Sequence, residues 1–322
     1  KYNADSNGGN ISFKVDRSSI RQGNAVIAIK DVSDAILWSW HVWVTDEDIN
    51  NVIEITNHQN VKYNFMPVNL GQCDGNTITY EERSCKVKFI AGDQSKEITI
   101  KQLANVIATG SNAPFYQWGR KDPLYPSNGM GNTTKIWYDK EGIPSTANPM
   151  KGTFSAGNDC IKNCILNPNL MHNRYNGDYT YYNLWSADNK TTSANDNPVN
   201  KTIYDPCPVG FKLPASNAFT GFTTTGESVS SSTQVNGTWS SSEKGWYFYT
   251  NSEKTQSIFF PALGYRSYST MRPGSIGTQG CFWSAHPVAK GNNYYLRTSS
   301  VDVQPTYMVD RGFGYALRPC QD

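Results

Sequence analysis

The chain of 322 residues carries 29 Lys and Arg against 27 Asp and Glu, a net charge of +2. Its cations are scattered along the sequence, which excludes the basic face that nucleic acid or an anionic membrane requires. Aromatic residues make up 13% of the chain and charged residues only 17%. Together with abundant Gly, Asn, Ser and Thr, this composition favours strands joined by polar turns, and the length accommodates two domains.

Two hairpins are predicted in the first hundred residues. Asn24–Lys30 is an apolar run, and Ala35–Val44 alternates so that one face carries Ile36, Trp38, Trp40, Val42 and Val44. The short turn between them, "DVSD", makes the pair a hairpin, and Cys85–Leu103 has the same alternation in two arms. Strands at this spacing predict a β-sandwich over residues 1–107.

The composition of the sequence changes after this region. Residues 108–113, "ATGSNA", are small and polar, and predict a linker after a domain boundary near Ile107. Further along, "GWYFYT" and "SIFFPALGY" flank a polar turn and predict a third hairpin, and Asn217–Phe222 is the best helix candidate, with Pro214 in its first turn. The predicted class is mainly β with some α+β, in domains 1–107 and 108–322.

The seven cysteines leave one unpaired, however the others combine. Cys160 and Cys164 form a C-x3-C pair without the further ligands of a structural zinc site, so no metal is predicted. Disulfides in an oxidising compartment are the commoner use of such cysteines, and the sequence leaves their connectivity open.

Catalytic motifs are missing from the sequence. It contains no nucleophile elbow, H-E-x-x-H, P-loop or dinucleotide fingerprint, and its four histidines are far apart. Asn195–Pro198 and Asp74–Asn76 could offer oxygen ligands to calcium, but both are ordinary turn sequences. We therefore predict a protein that is not an enzyme and holds no cofactor.

Aromatic side chains in loops are the remaining candidates for a binding surface. Exposed rings stack on sugar faces or anchor protein interfaces. The predicted ligand contacts are the loop tyrosines and two nearby arginines, whose guanidinium groups can add bidentate or cation–π contacts: Tyr179, Tyr181, Arg266, Tyr268 and Arg272.

Four segments together resemble one family. They are Gly23–Asp46, Phe115–Pro123, Thr202–Pro214 and Arg311–Cys320, and they are similar in sequence and order to surface proteins of the Bacteroides-type fimbrillin family, which are lipoprotein pilus subunits. The resemblance implies an N-terminal fimbrillin-like sandwich and an exported protein at the cell surface, outer membrane and fimbrium. It also implies partners: other pilus subunits, joined by strand addition, and a host or bacterial surface protein or glycan.

The C-terminal half further resembles the major paralogous domain of bacterial surface proteins. Cys207–Pro214, Trp283–Ala285 and Gly314–Pro319 match its early, middle and closing motifs. The resemblance implies an α+β domain like C-type lectins and formylglycine-generating enzymes, whose last strand returns to pair near the start of the domain. It makes Cys207 and Cys320 candidates for a structural disulfide.

The functional expectation is non-enzymatic adhesion or pilus assembly, with the C-terminal domain presenting the binding surface. Shaft subunits of some pili lend a strand to a neighbour. Because "FGYALRPC" is predicted to be an internal closing strand, we expect a terminal subunit, at the fibre tip. The alternative is a calcium-independent glycan-binding, lectin-like module of a surface lipoprotein. An exported chain is expected to have lost its leader and anchor before Lys1, and no stretch is apolar enough to span a membrane directly.

Overall fold

A computed structural model describes most of the chain. The described residues are 2–5, 8–11, 14, 16–20, 22–73, 77–108, 113–124, 137–138, 143–145, 151–153, 157–172, 184–187, 193–288 and 291–322. The protein is mainly β, built of several small and mostly antiparallel sheets, which confirms the predicted class at that level. The assignment of the two halves to a sandwich and a lectin-like domain stays a prediction.

The N-terminal strands pair mostly with a neighbour in sequence. They are β1 (Tyr2–Asp5), β2 (Gly8–Ile11), β3 (Gly23–Lys30), β4 (Ile36–Val44), β5 (Ile53–Thr56), β6 (Lys62–Phe65), β7 (Thr77–Tyr80), β8 (Arg83–Ala91), β9 (Gln94–Gln102) and β10 (Asn105–Ala108). β3 pairs antiparallel with β4, and β8 with β9. These pairings confirm both predicted hairpins. They could be predicted because turn residues and alternation act over a short stretch of sequence.

The central stretch holds short strands and one α-helix. These elements are β11 (Tyr116–Gln117), β12 (Trp137–Tyr138), β13 (Pro144–Ser145), β14 (Lys151–Thr153), α1 (Gly157–Leu166), β15 (Leu170–His172) and β16 (Phe211–Lys212). Within the described residues, no helix is long and apolar enough to cross a membrane. The predicted linker, residues 108–113, lies largely outside the described residues.

The C-terminal strands follow a 3-10 helix at Ser216–Phe222, where the sequence predicts a short helix. They are β17 (Gly237–Ser240), β18 (Gly245–Tyr249), β19 (Ser257–Pro261), β20 (Tyr265–Arg266), β21 (Pro273–Gly274), β22 (Gly280–Pro287), β23 (Asn292–Thr298), β24 (Val303–Asp310), β25 (Gly314–Tyr315) and β26 (Cys320–Gln321). The pairing of β18 with β19 confirms the third hairpin. Two further 3-10 turns occupy Arg17–Ser19 and Ser232–Gln234.

The closing strand joins the two halves of the chain. One sheet has the order β16–β26–β6–β5, in which Cys320 pairs with both Lys212 and Phe65. The return of the last strand to the "FKLP" segment is as the resemblance implied. Its other neighbour, β6, comes from before the boundary predicted near Ile107. The domain division itself stays a prediction.

A buried arginine fixes this junction. The Arg318 guanidinium donates to Asn69 Oδ1 at 2.7 Å, to Pro67 O at 2.7 Å and to Phe259 O at 2.7 Å. It also lies over the Phe260 ring, 4.4 Å from the centroid. Burial lowers the Arg318 pKa to about 9, so the group is charged at pH 7.

Two hydrophobic clusters form the core around this junction. The first is rich in phenylalanine and includes Phe65, Phe219, Phe222, Phe248, Phe260 and Phe282. The second is rich in tryptophan and tyrosine and includes Tyr116, Trp118, Trp185, Trp283 and Tyr315. Burial of each such ring contributes roughly 1.5–3 kcal/mol. Since both clusters draw residues from distant parts of the sequence, the core forms only when the closing strand is in place.

The turn "YDPCPVGFKLP" is organised by a carboxylate. Asp205 accepts hydrogen bonds from Cys207 N at 2.8 Å and from Leu213 N at 3.0 Å. Its Oδ1 also pairs with Lys201 Nζ at 2.8 Å, and that ammonium donates to Cys207 O and Phe211 O. The pair thus satisfies backbone donors and acceptors that the turn would otherwise bury unpaired.

We expect Asp205→Asn to destabilise the protein by about 2–3 kcal/mol, because hydrogen bonds to a charged acceptor are replaced by fewer and weaker ones. Urea unfolding followed by tryptophan fluorescence measures the change. Asp93→Asn, at an exposed turn of the β8–β9 hairpin, is the matched control. Equal stability of Asp205→Asn and wild type would show that the carboxylate does not organise this turn.

Candidate functional site

The segment Gln117–Asp122, here called the QWGRKD segment, is polar in sequence yet buried at every position. It begins in β11, which pairs with β25, and Trp283 Nε1 donates to the preceding Tyr116 O at 2.8 Å. Gly119 has a φ of +79°, and a Cβ there would lie 2.3 Å from Leu184 Cδ1. Only glycine fits this bend, which turns the following charged residues inward.

A buried ion pair follows the bend. Lys121 Nζ lies 2.6 Å from Asp122 Oδ2 and donates to Ser39 O and Ser39 Oγ at 2.8 and 2.6 Å. The ammonium also lies over the Trp38 ring, 4.5 Å from the centroid. Burial lowers the Lys121 pKa, and Asp122 opposes that shift. Because Trp38 and Ser39 belong to β4, the pair fastens the N-terminal hairpin to the rest of the molecule.

Two polar residues of β4, Ser39 and His41, make contacts with the rest of the molecule. Ser39 is buried, whereas Trp40 on the other face is 40% exposed. His41 Nδ1 contacts Tyr116 OH at 2.9 Å, and its Nε2 contacts Asn24 Oδ1 at 2.8 Å. Burial lowers the His41 pKa to about 4, so this histidine is a neutral packing residue at pH 7.

Gln117 and Arg120 hold three chain segments together. Gln117 Nε2 donates to His172 O and Gly312 O, each at 2.7 Å, and its Oε1 accepts from His172 N. The terminal nitrogens of Arg120 donate to Leu170 O and Pro168 O. Within the described part of the chain, no carboxylate contacts Arg120. Its positive charge is therefore buried against neutral carbonyl groups alone.

A cavity of about 40 Å³ adjoins the QWGRKD segment. Its lining combines the QWGRKD segment and Arg311 with apolar side chains that include Ile161, Ile165 and Leu184. Arg311 stacks on Trp118, with 4.6 Å from its guanidinium carbon to the ring centroid. Trp118 Nε1 and Arg120 Nε are buried and have no hydrogen-bond partner among the described residues. The cavity thus holds two unused N–H donors in a cationic setting.

A buried serine and histidine pair does not form a catalytic site. Ser216 Oγ lies 3.1 Å from His286 Nδ1, but both residues are 0% exposed. Burial lowers the His286 pKa to about 4. Ser216 Oγ also exchanges hydrogen bonds with the backbone of Asn195, so this contact supports the loop and is closed to substrates.

Three of the five predicted ligand contacts lie on the β20–β21 hairpin and differ in exposure. Arg266 is 1% exposed and donates to Met271 O at 2.7 Å, so the structure places its guanidinium in the core and not at the surface. Tyr268 is half-buried against Phe313, and Arg272 is exposed on the same β20–β21 hairpin. Tyr179 and Tyr181 lie outside the described residues.

The predicted disulfide is not formed. Cys207 and Cys320 are both buried free thiols, and they belong to different core clusters. Burial raises the Cys207 pKa well above its usual value, with Asp205 adding to the shift, and burial raises the Cys320 pKa to about 12. Neither thiol is activated for chemistry at neutral pH.

The calcium candidates have other roles or lie outside the described residues. Asp196, within Asn195–Pro198, accepts hydrogen bonds from Asn57, Tyr63 and Asn217. Its oxygens are thus engaged by neutral donors that a cation would have to displace. Residues 74–76 are not among those described. In the described ranges, no group of three or more His, Cys, Asp or Glu could hold a metal ion.

Comparison of the chain with protein-family models, with curated proteins and with solved structures finds no match.

Sequence reasoning noted the QWGRKD segment only as part of a resemblance, and missed it as a site. The available signal was three consecutive charged residues, Arg120–Asp122, placed directly after Trp118 and Gly119. A glycine beside a bulky aromatic marks a bend that can turn charges inward. The partners Ser39, Leu170 and Arg311 are too far away in sequence to be inferred.

We expect Cys207 and Cys320 to resist iodoacetamide in the folded protein and to react once it is unfolded, because burial keeps both protonated and shielded. Cys85, which is exposed, should react in both states and serves as the internal control. Peptide mass spectrometry after labelling measures each site. A peptide linking Cys207 to Cys320, found without reduction, would restore the disulfide and contradict the structure.

Proposed function

We propose that this chain is a non-enzymatic cell-surface adhesion protein or pilus subunit that occupies an end of the fibre. The observation that supports the proposal is the place of Cys320–Gln321, between β16 and β6 in a four-stranded sheet. A strand that is paired on both edges has no free backbone groups to offer another subunit.

The segment before this strand is also buried and hydrogen-bonded within the chain. Ala316 and Leu317 are 0% exposed, and Arg318 is 1% exposed. Met66 N and Leu70 N donate to Pro319 O and Leu317 O, at 2.9 and 3.0 Å. Withdrawing residues 314–321 for donation would open both core clusters. This segment therefore belongs to the subunit itself.

The β8–β9 hairpin offers the opposite property. In the described part of the chain it forms a two-stranded sheet with no further strand on either edge. The register places Cys85, Val87, Phe89, Ile98 and Ile100 on one face, and Phe89, Ile98 and Ile100 are 57%, 42% and 53% exposed. Open edges beside an exposed apolar face suit the addition of a strand from another subunit.

We expect Phe89→Glu to reduce incorporation of the chain into surface fibres, since a charge on the apolar face opposes burial by an added strand. Fibres sheared from the source organism are sedimented, and the chain in the pellet is quantified by immunoblot. Thr99→Glu, on the opposite face of the same hairpin, is the matched control. It should incorporate as wild type does.

Two results would contradict parts of this proposal. Wild-type chain that never sediments with fibres would remove the pilus assignment. Normal incorporation of Phe89→Glu would leave the pilus assignment standing and exclude the β8–β9 face as the subunit contact. Thermal unfolding of each variant separates an assembly defect from a folding defect.

A second candidate function is calcium-independent glycan binding. It rests on a half-exposed aromatic patch in which the Phe313 ring contacts Tyr265 at 5.4 Å and Tyr268 at 4.8 Å between centroids, both edge to face. The exposed Arg272 lies on the same hairpin. Rings with one face open and a nearby guanidinium are suited to stacking on sugars.

We expect Tyr268→Ala to abolish any signal of the full chain on a glycan array, because the ring supplies the stacking surface. The array is run with chelator present, since the candidate function is independent of calcium. Tyr307→Ala, at a tyrosine 46% exposed on β24, is the matched control and should bind as wild type does. A wild-type chain that binds no glycan would exclude this second function.

A further inference from the structure

We propose that the cavity beside the QWGRKD segment is a binding site for a small monocarboxylate, of the size of acetate or propionate. The proposal is independent of the pilus assignment. It rests on three properties of the cavity walls: unused donors, uncompensated charge and an apolar side of suitable size.

The unused donors are the first property. Trp118 and Arg120 are 5% and 3% exposed, and both line the cavity. Trp118 Nε1 and Arg120 Nε have no hydrogen-bond partner among the described residues. A buried N–H group without an acceptor is unfavourable, and that cost is removed if a ligand oxygen accepts from each. A carboxylate offers two oxygens as acceptors for two such donors.

The charge of the cavity favours an anion. Its walls carry Arg120, Lys121 and Arg311 against one carboxylate, Asp122. Lys121 Nζ forms an ion pair with Asp122 Oδ2, at 2.6 Å. Among the described residues, Arg120 donates to Gln117 Oε1 and to two backbone carbonyl groups, and to no carboxylate. His172, also in the wall, is neutral at pH 7 because burial and the nearby Arg120 lower its pKa to about 4.

Size and the apolar lining select the kind of anion. A volume of about 40 Å³ exceeds the ~10–15 Å³ that one water needs, and is enough for a carboxylate with a short tail. Ile161, Ile165 and Leu184 provide an apolar side for a methyl or ethyl group. A phosphate or sulfate would place polar oxygens against that side. These three residues and Tyr204 are partly exposed, so this side of the cavity lies near solvent.

The carboxylate could come from a free acid or from an acidic side chain of a partner protein. Both offer the same carboxylate to the site, and they differ in the group attached to the carbon next to that carboxylate. Sodium acetate represents the free acid, and N-acetyl-aspartate amide represents the side chain. Binding of acetate alone would assign the site to free acids, and binding of both would extend it to partner side chains.

The test uses the full chain labelled with 15N at its tryptophan indoles. Sodium acetate is added at constant ionic strength, with sodium chloride as the control titration. The Trp118 indole signal, identified by its loss in Trp118→Phe, should move downfield and saturate with acetate and not with chloride. Absence of a saturable shift, or an equal shift with chloride, would overturn the proposal.

Affinity is then measured from the broadening of 13C-labelled acetate. We expect the acetate dissociation constant to rise roughly ten- to a hundredfold in Trp118→Phe, since one hydrogen bond to a charged acceptor is lost. Trp239→Phe, at a half-buried tryptophan of the first core cluster, should bind as wild type does. Arg120→Lys, checked for folding by thermal unfolding, should also weaken binding. If Trp118→Phe does not fold, the measurement uses the wild type alone. Broadening of the acetate signal then supports the proposal, and no broadening overturns it.

Discussion

The buried guanidinium of Arg318 is the interaction on which the rest of the structure depends. It donates to Asn69, Pro67 and Phe259 and stacks on Phe260, so it joins segments separated by up to 251 residues. A buried cation is tolerated only where its donors are satisfied, and here they are satisfied solely when the last strand lies between β16 and β6. Correct placement of the closing strand is thereby tied to the folding of both halves.

Two other buried or partly buried charged groups also hold chain segments together. Lys201 and Asp205 organise the turn before β16, and Lys121 and Asp122 fasten the N-terminal hairpin. In each case a charged pair takes up backbone or hydroxyl groups of a loop that has little regular structure. Polar contacts of this kind hold loops in one conformation. In the QWGRKD segment two buried donors, Trp118 Nε1 and Arg120 Nε, have no hydrogen-bond partner among the described residues, and both residues line the cavity.

Local elements were predictable from sequence, and their assembly was not. The β3–β4, β8–β9 and β18–β19 hairpins follow from alternation and turn residues that act within about 20 residues. The face of β4 that packs inward was not predictable, because Ser39 and His41 find partners in Asp122 and Tyr116. For the same reason Arg266 appeared to be a surface residue in a loop, when its acceptor, Met271 O, lies inside the fold.

The sequence by itself determined a mainly-β chain with defined hairpins and a short helix near Phe219, and its family resemblance implied a last strand that returns to the "FKLP" segment. Only the tertiary structure decided that β6 is the other neighbour of that strand, that Cys207 and Cys320 stay apart as thiols in separate clusters, and that Trp118 and Arg120 face a cavity. The physical reason is the separation along the chain of the groups that interact. Strand propensity and turn geometry are set by neighbours along the chain, whereas burial, ion pairing and unused hydrogen-bond donors depend on groups that meet only after folding.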